Sequence, residues 1–483
     1  MSLSKIANVV GLLQIFLALS MVLTGIVAAL YGDGDAAAFF QSGSITVLIG
    51  WGVYRATRFS DDVTVREGFA IVTMAWAATA VFGSLPYLFS GALDSPVRAV
   101  FEAMSGFTTT GATVFVDIEA LPHGILLWRS MTHWIGGMGI IVLVIAVLPY
   151  LGVGGMQLFR AEVPGPTPER LRPRITQTAK LLWLVYVALT AVLAFLYLVG
   201  GMGPFDAINH SFSTLATGGF STRNTSMVEM SPFIQWVTIL FMYLAGVNYA
   251  LHFRALGGDI QYFRDEEWKF FTVVLVVAAS AVTLLNLHAG SGPGEQLVRN
   301  SLFQVLAITT TTGYVSADYE LWVPGVQMVL FALFFVGGMA GSTSGGVKAL
   351  RVMLILKQTA NELRKHLHPR AILVTRIGSQ PVREDVVARV VGFVMLYLLI
   401  CLAGAVALAL TGLDPLTAIG GSIAAVGNVG PAFADLGPTD NYGWMSSSGL
   451  AVLSLLMLVG RLEIYTVLLL FHPELWKSRG AYH

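Results

Sequence analysis

The chain has 483 residues, of which 55% are hydrophobic and only 12% charged, with acidic and basic residues in equal number. Soluble domains carry about 25% charged residues, so this composition excludes an ordinary soluble protein and points to a chain that crosses a membrane many times. A formal net charge of zero also leaves no electrostatic footprint for nucleic acid.

The first apolar run, IANVVGLLQIFLALSMVLTGIVAAL, exceeds a signal-peptide core and is expected to be a first spanning helix, not a cleaved leader. Segments near 20 apolar residues cross a hydrocarbon layer of ~30 Å. Ten candidate spans follow from this rule, at 7–30, 41–57, 67–90, 124–150, 178–200, 232–252, 268–288, 319–352, 388–411 and 445–471. Cys401 lies inside VGFVMLYLLICLAGAVALAL and reads as a packed core residue. A lone thiol excludes a disulfide framework and a Cys-rich metal site.

The loops between spans alternate in charge. Arg55, Arg58, Arg66, Arg160, Arg170, Arg172, Arg174, Lys180, Arg254, Arg264 and Lys269 fall on one side. The basic run from Lys348 to Arg389, with Lys477 and Arg479, joins them. The opposite loops carry Asp33, Asp35, Asp94, Asp117, Glu119, Asp206, Glu229, Asp318, Asp414, Asp435 and Asp440. By the positive-inside rule both termini are expected to be cytoplasmic.

Four outer loops each hold a moderately apolar stretch too short to span: SPVRAVFEAMSGF, GPFDAINHSFSTLA, GEQLVRNSLFQVLAIT and LDPLTAIGGSIAAV. These read as re-entrant half-helices, with Pro96, Pro204 and Pro415 placed where proline suits a helix start. Each runs into a Thr/Gly-rich string: TTTGATV, ATGGFST, TTTTGYVS and AVGNVGPAF, centred on Gly111, Gly218, Gly313 and Gly427. A glycine-bearing signature then recurs in the next span, as WIGGMGI, YLAGVNY, FVGGMAG and LVGRLEI. Helix, half-helix, string and helix therefore form one unit present in four copies. The expected organisation is two N-terminal helices (1–62) followed by repeats at 63–156, 175–258, 265–356 and 383–475, the third with a broken last helix. The predicted fold is all-α and polytopic, with four pseudo-symmetric repeats around a central pore.

Non-helical backbone at membrane depth is tolerated only where it is buried in protein or lines water. Four strings about one axis would present rings of carbonyl oxygens that replace the hydration shell of a monovalent cation. Glycine permits the required dihedrals, and threonine adds neutral hydroxyl ligands. The candidate cation ligands are Thr109, Thr110 and Gly111; Ala216, Thr217 and Gly218; Thr311, Thr312 and Gly313; and Val426, Gly427 and Asn428. The half-helix C-termini would favour a cation, and the acidic outer loops would concentrate it. A single Thr-Thr-Thr-Gly at a helix end is ordinarily a capping device; four in equivalent places argue for a selectivity filter.

At these residues the chain resembles the Trk/Ktr/HKT superfamily of potassium uptake proteins, in particular the bacterial Trk-type transmembrane subunits. The likeness covers nearly the whole chain. The four strings look like the family's filter sequences, GGMAGSTSGGVKALR like its intramembrane loop, and GRLEIYT like its arginine-bearing last helix. The resemblance implies potassium as substrate, with a glycine in every string marking preference for potassium over sodium. It also implies a homodimer of separately conducting subunits and a cytoplasmic ring of nucleotide-binding regulatory subunits.

The stretch VGGMAGSTSGGVKAL interrupts the eighth candidate span. Each helical glycine costs ~1 kcal/mol relative to alanine, so Gly337, Gly338, Gly341, Ser342, Thr343, Ser344, Gly345 and Gly346 predict a loop obstructing the pore. Close helix packing on small residues is the competing explanation. Arg461, inside the last span, either meets that loop across the pore or pairs structurally with Glu463. Lys348 is expected to snorkel to the interface. Arg129 and His133 share a helix face and are expected to make interhelical hydrogen bonds, as are Asn248 and His252.

No phosphate-binding loop or dinucleotide fingerprint is present, so no cofactor is expected in this chain and nucleotide control would come from a partner. The leading expectation is a gated potassium uptake pathway. The alternative is a proton- or sodium-coupled potassium symporter, weakened because Glu463 is the one buried carboxylate expected in a central span. HExxH and other catalytic spacings are missing, which argues against an intramembrane enzyme, and a scaffold would not need four Thr/Gly strings.

Overall fold

The computed structural model describes residues 1–57, 63–146, 171–259, 261–290 and 294–476. Helices Leu3–Tyr31 and Ala36–Ala56 form an antiparallel hairpin. Gly11 and Gly50 face each other across it: a Cβ on either would lie 2.8 Å from the other's carbonyl oxygen. That is the small-residue contact by which helices approach closely in lipid. The hairpin docks through its turn, where Asp33 accepts hydrogen bonds from the His123 amide (2.8 Å) and ring (2.6 Å). Those bonds, the amide first, hold the Asp33 carboxyl below the usual carboxylate range.

The remainder repeats one unit four times. Its first helices are Val65–Gly83, Leu171–Val199, Glu266–His288 and Glu384–Ala409. Thr64 and Glu67 start the first with a reciprocal capping box, and Asp265 caps the third through the Trp268 amide. The half-helices are Pro96–Phe107, Pro204–Leu215, Glu295–Thr309 and Pro415–Gly427, matching the four short apolar stretches. The returning helices are His123–Ala146, Pro232–Gly246, Pro324–Leu333 and Ser447–Arg461. The protein is thus an all-α polytopic membrane protein with two extra N-terminal helices and four pseudo-symmetric repeats. Its only strand pair among the described residues is a hairpin joining Arg376–Ile377 to Gln380–Pro381.

Among the described residues six helices are long and apolar enough to cross a bilayer, and two bent pairs raise this to eight. The pairs are Pro232–Gly246 with Tyr249–Leu256, bent by 102°, and Ser447–Arg461 with Tyr465–Phe471, bent by 109°. The eighth candidate span, 319–352, needs correction. Its helix covers only Pro324–Leu333, no helix follows until Ala349, and Ala349–Leu367 is amphipathic and basic at its end. The end of the first repeat beyond residue 146 lies outside the described residues, as do Arg58, Arg160, Arg170, Lys477 and Arg479.

Large apolar side chains such as Leu48, Phe195, Val277 and Leu402 stand exposed around the perimeter, as lipid-facing residues must. The interior is instead rich in hydroxyls, glycines and buried tyrosines. Cys401 is buried there, its carbonyl accepting from Ser422 Oγ at 2.7 Å. The first and fourth returning helices close on their own half-helices through small residues. A Cβ on Gly136 would overlap the Phe107 carbonyl, and one on Gly460 the Val426 carbonyl.

Gly136→Ala is therefore expected to lower the detergent melting temperature by at least about 3 °C. Gly52→Ala, at a helical glycine with nothing within 4 Å of the added methyl, is expected to leave it unchanged or raise it. Equal melting of the two variants would contradict the close-contact assignment.

Candidate functional site

All four half-helices end alike. Two residues beyond Phe107, Leu215 and Thr309 come Thr109, Thr217 and Thr311, with φ of 53°, 55° and 56°; Asn428, at 56°, follows Gly427 directly. This left-handed region suits glycine or asparagine. For β-branched threonine it costs about 1–3 kcal/mol. The same strained conformation at equivalent points of three repeats marks a geometry that the surrounding structure enforces.

The turn spends the amide donors locally. Thr109 N donates to Gly106 O (3.0 Å) and Thr110 N to Ser105 O (2.9 Å). Thr217 and Gly218 repeat the pattern on Thr214 and Ser213, and Asn428 and Val429 repeat it on Ala425 and Ala424. The carbonyls are left over. Among the described residues, no protein donor reaches those of Thr109, Thr110, Thr217, Gly218, Thr311, Thr312, Asn428 or Val429. Buried carbonyls ordinarily find a partner.

The four matching left-handed residues correct the register of two strings. Gly111 and Gly313 are equivalent to Gly219 and Gly430, not to Gly218 and Gly427. Val426 and Gly427 are the last helical residues of their half-helix, and Ala216 is a helix cap. Neighbouring glycines in ATGGF and VGNVGP cannot be ranked by sequence. The small residues of the fourth half-helix stay helical because they are buried against other helices, not because of propensity.

The four glycines close a ring. A Cβ on Gly111 would strike the Gly218 carbonyl, one on Gly219 the Thr312 carbonyl, one on Gly313 the Gly430 amide, and one on Gly430 the Thr110 carbonyl. Each string thus abuts the next in cyclic order. The segments above the ring are joined in the same order. Ile118 N donates to Asn224 Oδ1 (2.7 Å), Met227 N to Val315 O (3.0 Å), Tyr319 Oη to Ala432 O (2.6 Å), and Tyr442 N to Thr113 O (2.8 Å). Asn428 adds a lower link between strings four and one, donating to Thr110 Oγ1 at 3.1 Å. A cavity of about 180 Å³ above the ring is lined by all four strings, including Gly111, Gly219, Gly313 and Gly430.

The glycine-rich loop lies beneath. No helix spans 334–348, as its composition predicted. Gly345 N donates to Thr311 Oγ1 (2.7 Å), and Thr343 Oγ1 donates to the Leu215 carbonyl (2.9 Å). Arg461 reaches across, Nη1 donating to Thr343 O at 2.8 Å and Nη2 to Gly136 O at 3.5 Å. Loop and arginine together touch all four repeats. Glu463 pairs with Arg351 instead, so it is not the partner of Arg461. Lys348 does not snorkel: it is buried and donates to Ser344 O, inside the loop it follows.

Of the other polar residues in spans, His133 sits beside Ser213 Oγ (3.3 Å) and stacks on Phe220. Asn248 caps the helix Tyr249–Leu256, and His252 bonds the Leu244 carbonyl. Glu102 and Glu267 are buried carboxylates that the sequence did not single out. Glu102 pairs with Arg129 at 2.9 Å. Glu267 accepts from the Ala340 and Leu350 amides (2.7 and 3.1 Å), tying the loop to the first turn of the helix that follows it. Glu463 is therefore not the sole buried carboxylate; the acidic residue inside VFEAMSGF was the available signal. Each of these carboxylates already holds amide or guanidinium donors.

Residues 35–478 match the family described as TrkH, cation transport protein. The chain is 40% identical over 482 residues to the Trk system potassium uptake protein TrkH of Salmonella typhimurium, covering 98% of this chain and 99% of the relative. To its counterpart in Escherichia coli K12 it is 39% identical over 480 residues, covering 98% and 99%. The crystal structure of the potassium transporter TrkH from Vibrio parahaemolyticus matches with a TM-score of 0.91 at 36% identity, covering 99% of this chain and 100% of that one.

The register makes a sharp distinction between two nearby glycines. A Cβ on Gly427 meets nothing closer than the Tyr397 hydroxyl at 3.4 Å, whereas one on Gly430 lies 2.9 Å from the Thr110 carbonyl. Gly427→Ala is expected to keep alkali-cation flux within about twofold of the parent, and Gly430→Ala to lower it by about tenfold, the effect of roughly 1.4 kcal/mol at the ion. Tracer uptake into vesicles, normalised to inserted protein, measures both; the reverse order would contradict the register.

Proposed function

The chain belongs to the TrkH family of cation transport proteins, a transporter family and not an enzyme family, and from that premise we propose that it carries potassium into the cell through the four-string ring. The observation that carries this reading is the cyclic contact of Gly111, Gly219, Gly313 and Gly430 beneath a shared cavity, with unspent carbonyls from every string. A dehydrated monovalent cation is the partner those oxygens fit. They carry no formal charge to bind it too tightly, and their number compensates for lost water. The potassium-holding residues in this proposal are Thr109, Thr110 and Gly111; Thr217, Gly218 and Gly219; Thr311, Thr312 and Gly313; and Asn428, Val429 and Gly430. The named relatives, which are potassium uptake proteins, support the choice of potassium.

The loop 337–346 and Arg461 act as the gate. A buried guanidinium just below the ring raises an electrostatic barrier to a cation and ties the loop through Thr343. Opening requires the loop to leave Thr311 and Leu215. Glu267 staples Ala340 of the loop to Leu350 in the first turn of the amphipathic helix Ala349–Leu367. Lys357 of that helix pairs with Glu266, next to the stapling Glu267, so a force on the helix is delivered to the loop. A nucleotide-binding regulatory ring docked on the basic 353–380 surface would supply it. Both termini lie in the cytoplasm of the bacterial inner membrane in this reading, and the active form is a homodimer with one pathway per subunit.

Potassium moves down its electrochemical gradient in this proposal. Each buried carboxylate near the axis is already neutralised or bonded to amides, which favours uncoupled passage over proton coupling. The reversal potential in vesicles should follow the potassium gradient and stay fixed when pH is varied; a shift with pH at constant potassium would favour symport.

Arg461→Ala is expected to raise basal potassium flux at least about fivefold without any regulatory subunit, because barrier and tether are lost together. Equal or lower flux through correctly inserted protein would remove Arg461 from the gate.

A further inference from the structure

The strings are held from behind by side chains that occupy one repeated position. Seven residues before each left-handed residue stand Glu102, His210, Gln304 and Gly421. The first three are buried, and each reaches forward to its own string or the residue just after it, beyond the glycine. Glu102 Oε1 accepts from Thr113 Oγ1 at 2.9 Å, and its Oε2 accepts from the Val114 amide at 2.9 Å. His210 Nε2 lies 3.0 Å from Ser221 Oγ, with Nδ1 2.8 Å from the Asp206 carbonyl. That carbonyl requires a proton on Nδ1, so Nε2 accepts from the serine. Gln304 Nε2 donates to the Ala317 carbonyl at 3.2 Å. Gly421 has no side chain, and its string is held from above by Tyr442 Oη on Gly430 O (2.8 Å) and Tyr319 Oη on Ala432 O (2.6 Å).

The first of these supports differs from the others in kind. Arg129 Nε donates to Glu102 Oε1 at 2.9 Å, and its Nη1 donates to the Ser221 carbonyl at 3.1 Å. Ser221 belongs to the second string's segment and is itself the residue that His210 holds. Arg129 therefore links string one, through Glu102, to string two, and its guanidinium lies over the Phe220 ring at 4.1 Å. Charge-assisted bonds are about twice as strong as neutral ones. The planar guanidinium also fixes the angle between its two acceptors, which a lysine ammonium cannot do.

We propose that Glu102 and Arg129 are the positioning pair that sets the spacing of the first two strings, and through it the discrimination among alkali cations. The pair has no net charge, so its effect on the ion is through geometry and not through an added field. It does not touch the ion. His210 and Gln304 each brace only their own string, by neutral bonds, and selectivity is correspondingly most sensitive to the first repeat. This inference rests on the reading of the ring as a potassium filter.

The test is potassium and sodium flux of the purified full-length protein in vesicles, for the parent and for Arg129→Lys, Thr113→Val and Thr113→Ser. Arg129→Lys keeps the charge but cannot serve both acceptors; a fall in the potassium-to-sodium ratio of about fivefold is expected. Thr113→Val leaves the ion pair intact and removes the hydroxyl that donates to the Glu102 carboxylate and accepts from the Phe115 amide. It is expected to lower the ratio about threefold, with Thr113→Ser restoring it. If Arg129→Lys does not insert, the two Thr113 variants decide alone. A purely structural role would reduce insertion or total flux with the ratio unchanged, and that result overturns the proposal. A parent protein without potassium preference would instead sink the filter reading on which it rests.

Discussion

Backbone at membrane depth must have its polar groups satisfied within the protein, and this constraint organises the molecule. The half-helices end midway, so the chain beyond them has lost its helical partners. At each end the left-handed turn returns the amides to the half-helix and leaves the carbonyls unmatched. Four such ends gather about one axis and bring those carbonyls together. The two N-terminal helices stand outside the ring, packed on the first repeat.

Symmetry holds at the ring and fails in the loop and the arginine beneath it. The hydroxyl pair Thr108 and Thr110 recurs as Thr310 and Thr312, both at 2.8 Å. Paired small residues stand at Gly136 and Gly137 and at Ala245 and Gly246 in the first two returning helices, and at Gly337 and Gly338 just beyond the third. In the fourth repeat the second of these is Arg461. One substitution in the repeated pattern thus turns a close-packing position into a buried cation aimed at the loop of the third repeat. The third repeat departs in the complementary way, its returning helix stopping at Leu333 and giving way to a loop under the ring.

Much of this architecture was legible because it rests on apolar periodicity and local chemistry. The half-helices announced themselves by length and by Pro96, Pro204 and Pro415; the loop by glycines no span would carry. What stayed hidden depends on distant contacts. Gly219 and Gly430 take their places from the neighbouring string, not from flanking residues, so the choice against Gly218 and Gly427 needed three dimensions. Lys348 reads as an interfacial lysine in sequence, yet the loop folds back and offers it the Ser344 carbonyl. Glu267 resembles an ordinary helix-start carboxylate, but its Oε1 accepts amides from residues 340 and 350. Partners this far along the chain leave no local signature.

The central claim concerns where a bare ion rests, so the most direct measurement is a diffraction experiment on crystals grown in rubidium, with anomalous scattering locating the ion. The account places strong peaks on the axis framed by Gly111, Gly219, Gly313 and Gly430, weakened when sodium replaces rubidium. Rubidium found solely at the periphery, with an empty axis, would contradict it.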